Sequence, residues 1–163
     1  MTANQFIEVD APELCVMEGE ADELCNDGIY GKALAEYLRS HLIPMGYQVP
    51  DVGCEDWGWY VSAERDGVAL DICVYGFPKS DSDDTDSQPS DSTDGDIPNL
   101  PAGTPLSLCF CVGTRTGKHW SWSRFRKIDR TAQVEALFDD LLKIVQDDPD
   151  IRIVGCTEEF PLS

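Results

Sequence analysis

A chain of 163 residues, 42% of them hydrophobic, is the length of one domain and can bury a core without disulfides or a structural metal. No stretch approaches the roughly 20 apolar residues that cross a bilayer, and the first residues lack the charge and apolar run of a signal peptide, which predicts a cytoplasmic protein with no membrane partner. With 31 acidic against 12 basic residues the formal net charge is -19, a field that disfavours direct nucleic-acid binding and attracts basic protein surfaces.

In chain order, residues 6–9 read as a short strand, and residues 8–27 carry eight acids and no base. Asp27 is a candidate N-cap for a first helix. Ala33, Leu34, Tyr37, Leu38, His41 and Leu42 then recur at three- and four-residue spacing until Pro44 and Gly46 end it, which puts His41 on a face at least half buried. A second short strand is expected at 47–49. Residues 57–65 and 68–75 alternate as strands around Asp66-Gly67, the dipeptide that a tight type I′ turn demands because both of its residues take positive φ.

Residues 79–102 contain seven aspartates and almost nothing that burial could repay, so they are expected to form a flexible acidic insertion within the domain. No window there has the spaced acids, central glycine and terminal glutamate of a calcium loop. Residues 106–112 and 120–125 read as a second hairpin, and residues 115–130 hold six of the 12 basic side chains, a positive patch on a negative surface. After the candidate caps Asp129 and Thr131, Val134, Leu137, Phe138, Leu141, Ile144 and Val145 form one apolar helical stripe closed by Pro149. A last strand follows at 151–156.

This order predicts a single α+β domain over 1–163, a two-layer sandwich of one mostly antiparallel sheet of about five or six strands with two helices on one face. The second helix leaves room for a crossover to a parallel neighbour.

Candidate chemistry is sparse. Trp57 and Trp59, like Trp120 and Trp122, stand two apart, so strand periodicity places each pair on one face of the sheet. With His119, Arg124 and Arg126 they form the candidate ligand or partner patch, although tryptophans at such positions also serve as core. The segment 113–119 has one residue too few between its glycines for a phosphate loop, and His119 stands where Ser or Thr would hold magnesium, so it reads as a turn. Seven scattered cysteines fit reduced thiols. Cys109 and Cys111 lie about 7 Å apart on one strand, too far for a disulfide, and with Cys73 and His119 they lack the spacing of a zinc site. Glu55 and Asp56 read as a solvated turn. No catalytic residue, metal or cofactor is assigned. The leading expectation is a non-enzymatic acidic module of inhibitor, immunity, adaptor or chaperone type, including mimicry of nucleic-acid charge, acting on a basic partner. The alternative is a small-ligand or catalytic domain with an aromatic and basic pocket.

Overall fold

Strand residues alternate sides, and here the alternation of the central strands decides which side the helices cover. The computed structural model describes residues 5–79, 99–113 and 130–162. In chain order these form β1 (Phe6–Asp10), α1 (Glu20–Glu23), α2 (Lys32–Leu42), a 3-10 turn (Ile43–Met45), β2 (Gln48–Glu55), β3 (Gly58–Arg65), β4 (Val68–Pro78), β5 (Leu106–Gly113), α3 (Thr131–Asp147) and β6 (Arg152–Thr157). The six strands make one sheet in the order β2-β3-β4-β5-β1-β6. Every neighbouring pair is antiparallel. The chain is thus an α+β protein with its helices on the sheet, as the order of elements predicts.

β5 is bonded to β4 along its length and to β1 from Leu108 to Phe110. The other arm of the expected second hairpin, 120–125, lies outside the described residues. One topological expectation changes. The crossover through α3 does return β6 in the direction of β5, but β1 sits between them, and β6 therefore pairs antiparallel with β1 instead of lying beside a parallel neighbour.

The helix-facing residues of the sheet are aliphatic: Val61 and Ala63 on β3, Leu70, Ile72 and Val74 on β4, and Leu106, Leu108, Phe110 and Val112 on β5 are all buried. Against them α2 sets Leu34, Ala35, Leu38 and Leu42, and α3 sets the predicted stripe Val134, Leu137, Phe138, Leu141, Ile144 and Val145, all buried. Each such Val, Leu, Ile or Phe side chain contributes roughly 1.5–3 kcal/mol on leaving water. The β3–β4 turn is the one the sequence demands, with Asp66 at φ 55 and Gly67 at φ 76.

The start of α2 departs from expectation. Its cap position is Gly31, four residues beyond Asp27, and no side chain local to the helix caps it. Glu20, wholly buried on α1, does so from a distance: its Oε1 accepts the N–H groups of Gly31 and Lys32, each at 2.8 Å, and its Oε2 accepts that of Met17 at 2.9 Å. A carboxylate satisfies helix N-terminal donors that would otherwise be buried unpaired, and the helix dipole favours its charge. His41 is exposed, not half buried, because Leu34, Leu38 and Leu42 set the buried stripe and His41 falls beside it. Most of the expected insertion, 80–98, lies outside the described residues. Its described end is held to the body: the N–H of Leu100 bonds the Tyr30 hydroxyl at 3.1 Å, and just beyond the insertion that of Gly103 bonds the Val16 carbonyl at 2.8 Å.

Candidate functional site

The strand residues that point away from the helices build a different surface. On β4 these are Asp71, Cys73, Tyr75 and Phe77, and on β5 Ser107, Cys109, Cys111 and Gly113. Tyr75 is the centre of an aromatic row. Its ring centroid lies 6.0 Å from Trp57, 5.0 Å from Phe160 and 6.2 Å from Phe6, and Phe160 continues to Phe77 at 6.0 Å and Phe6 at 5.5 Å. Three of these contacts, all made by Phe160, are edge-on, the arrangement favoured by ring quadrupoles. The ends of the row face water, with Trp57 40% and Phe160 38% exposed.

Local geometry explains how Trp57 arrives there. β2 and β3 close with Glu55 opposite Gly58 and Cys54 opposite Trp59, so Asp56 and Trp57 are the two residues of a tight turn. The expectation that Trp57 and Trp59 share a face fails for this reason, since β3 begins only at Gly58. Trp59 faces the helices at 3% exposure, with the Lys32 ammonium 5.8 Å from its ring. Gly58 permits the corner: at φ 149 any side chain would be strained, and a Cβ there would meet the Val74 carbonyl at 2.7 Å and the Tyr75 ring at 3.2 Å.

Carboxylates flank both ends of the row. Glu55 and Asp56 precede Trp57, Glu158 and Glu159 precede Phe160, and all four residues are exposed. The acidic segment before α2 is tied to the same corner, because Asn26 Nδ2 donates to the Asp56 carbonyl at 2.9 Å and the Cys25 thiol donates to the Cys54 carbonyl at 3.1 Å. Asp22 and Asp27 come with it, whereas Glu23 pairs with Lys32. The cations Arg39, Arg65, Lys79 and Arg152 also lie within 3.4 Å of a carboxylate oxygen. Asp10 takes two of them, and hydrogen bonds from Lys79 and then Arg152 hold its carboxyl below the usual range.

Of the predicted patch, the structure brings Trp57 to this surface and sends Trp59 to the core, while His119, Trp120, Trp122, Arg124 and Arg126 lie outside the described residues. Tyr75, Phe77, Phe6 and Phe160 were missed. Tyr75 and Phe77 were readable in principle, since they alternate with Ile72 and Val74, but nothing in the sequence signals that Phe160 folds back over β4. Among the described residues, concavities occur elsewhere. One of about 480 Å³ lies between the ends of α2 and α3 beside Tyr37, His41 and Asp148, and one of about 170 Å³ lies beside Tyr47, Arg65 and Gln133; neither is lined by a tryptophan. Among the described residues no group of three His, Cys, Asp or Glu side chains is placed to hold a metal ion, and no helix is long and apolar enough to cross a membrane. Searches of protein-family models, curated proteins and solved structures returned no match to this chain.

Proposed function

We propose that the chain is a non-enzymatic binding module that docks a basic protein partner on the Trp57–Tyr75–Phe160 row, in the manner of an inhibitor, immunity factor, adaptor or chaperone. The observation that carries this reading is the coincidence of exposed aromatic anchors with carboxylates at both ends of the same row. Clustered aromatic side chains supply most of the energy of protein interfaces, while rim charges set the rate and choice of partner. A net charge of -19 extends that steering over the whole molecule and gives binding that weakens as salt rises. Mimicry of nucleic-acid charge is the narrower form of the reading, with the acidic segment 8–27 and the aspartates of 81–96 in the role of phosphates. A cytoplasmic setting belongs to the same proposal and is supported by seven cysteines, all unbridged.

The test is affinity capture at low salt with the wild-type chain, Trp57→Ala, and the double charge reversal Glu55→Lys/Asp56→Lys. The reading predicts a basic protein whose affinity falls about 30-fold with Trp57→Ala, and whose association slows with the charge reversal. A captured protein that binds all three chains equally, or with no dependence on salt, would overturn it.

A further inference from the structure

Beneath the aromatic row lies a pair of thiols that the binding role does not use. The β4–β5 register sets Cys73 directly opposite Cys111, on the face away from the helices. Directly opposed residues of antiparallel strands have Cα atoms about 4.5 or 5.5 Å apart, depending on their place in the ladder, and both values fall within the roughly 4.4–6.8 Å that a disulfide spans. Their Cβ atoms need to close by at most about 1 Å. Both residues are half-buried. Space beside the Cys73 sulfur is kept by Gly113, where a Cβ would come within 2.9 Å of it.

We propose that Cys73 and Cys111 form a reversible redox site that a hydroperoxide oxidises to a cross-strand disulfide, with Cys73 as the attacking thiol. The sulfur of ionised Cys73 attacks the terminal peroxide oxygen; an S–O bond forms, the O–O bond breaks, and the departing alkoxide takes a proton to leave as an alcohol, or as water from hydrogen peroxide. Cys73 is then a sulfenic acid. The Cys111 sulfur attacks it, the S–S bond forms, and the hydroxyl leaves with the Cys111 proton as water. Two thiols lose two electrons in total, and the peroxide gains them.

The division of roles rests first on access, since Gly113 leaves room beside the Cys73 sulfur. The electrostatics agree: the neighbouring Cys111 thiol, and then Tyr75, hold Cys73 below the usual thiol range against burial and Asp71. Cys111 is pushed far above that range by Cys73 and by burial. An asymmetric pair of this kind supplies one thiol that ionises readily and one that stays protonated until attack. The other cysteines are placed differently. Burial pushes Cys109 up to about 12, with Glu8 adding to the shift, and it lies two residues from Cys111 on the same strand. Burial also raises Cys54, whose sulfur accepts the Cys25 N–H at 3.3 Å at the acidic corner.

The test exposes the reduced full-length chain to hydrogen peroxide, blocks remaining thiols and maps the peptides by mass spectrometry. The expected product is a peptide pair joined through Cys73 and Cys111 and released by dithiothreitol. Cys111→Ser should stop at a sulfenic acid on Cys73, trapped by dimedone, and Cys73→Ser should slow the first oxidation about ten-fold. Either serine variant that loses its circular dichroism spectrum is set aside, and the wild-type map then decides. A bridge joining Cys25 to Cys54, or Cys73 and Cys111 still open to alkylation after other thiols have reacted, would overturn the proposal.

Discussion

The two faces of the sheet are built from the same strands, often from adjacent residues, yet they differ in every chemical respect. Toward the helices stand Val61, Ile72, Val74, Leu108 and Phe110, all fully buried and packed against the stripes of α2 and α3. Away from them stand a row of aromatic rings with exposed ends, a ladder of thiols, and carboxylates at the margins. Trp57 at 40% and Phe160 at 38% exposure stand in that one row. On the proposed function, folding belongs to one side of the sheet and recognition to the other.

Substitutions on the helix-covered side should cost the most stability. Phe138 is 2% exposed on α3, and Phe138→Ala should lower the unfolding free energy by about 3–5 kcal/mol, read by urea denaturation. A loss below 1 kcal/mol would mean that this side is not the core that holds the fold.

A smaller and graded effect is expected at high pH, and it draws on both faces. Burial, then hydrogen bonding to Asp148, raises Tyr37 above the ordinary phenol range; burial, then Asp140, raises Tyr47; burial, then the nearby thiols, raises Tyr75. Groups whose folded pKa is raised stabilise the fold while protonated, so their contribution is complete below about pH 10 and is lost as pH climbs through the folded values. The melting temperature should therefore fall between about pH 10 and pH 12, and Tyr37→Phe should shrink that fall. An unchanged melting temperature across this interval would show that these phenols are not held neutral by the fold.

The smallest effect on stability belongs to the open face. Trp57→Ala should change the unfolding free energy by no more than about 1 kcal/mol while removing most partner affinity. A loss of stability as large as that of Phe138→Ala would erase the distinction between the two sides.

The helix-covered side was the more legible from sequence, because periodicity is a direct record of burial. The stripe from Val134 to Val145, the Asp66-Gly67 turn and the strands around it all emerge from spacing and turn chemistry alone. What spacing does not encode is long-range pairing. The insertion of β1 between β5 and β6, the capping of α2 by Glu20 eleven residues upstream, and the return of Phe160 over Tyr75 depend on contacts between distant segments. The pairing of Trp57 with Trp59 failed for a local reason: a two-residue turn moved the start of the strand by one position and sent one indole outward and the other into the core.

The most direct measurement is oxidative footprinting of the chain alone and bound to the basic protein that it captures. Trp57, Tyr75 and Phe160 should become protected in the complex, while Tyr37 and Met45, beside the groove between α2 and α3, keep their reactivity. Protection of Tyr37 and Met45 with Trp57 and Phe160 left open would place the partner on the helices and contradict the assignment of recognition to the open face of the sheet.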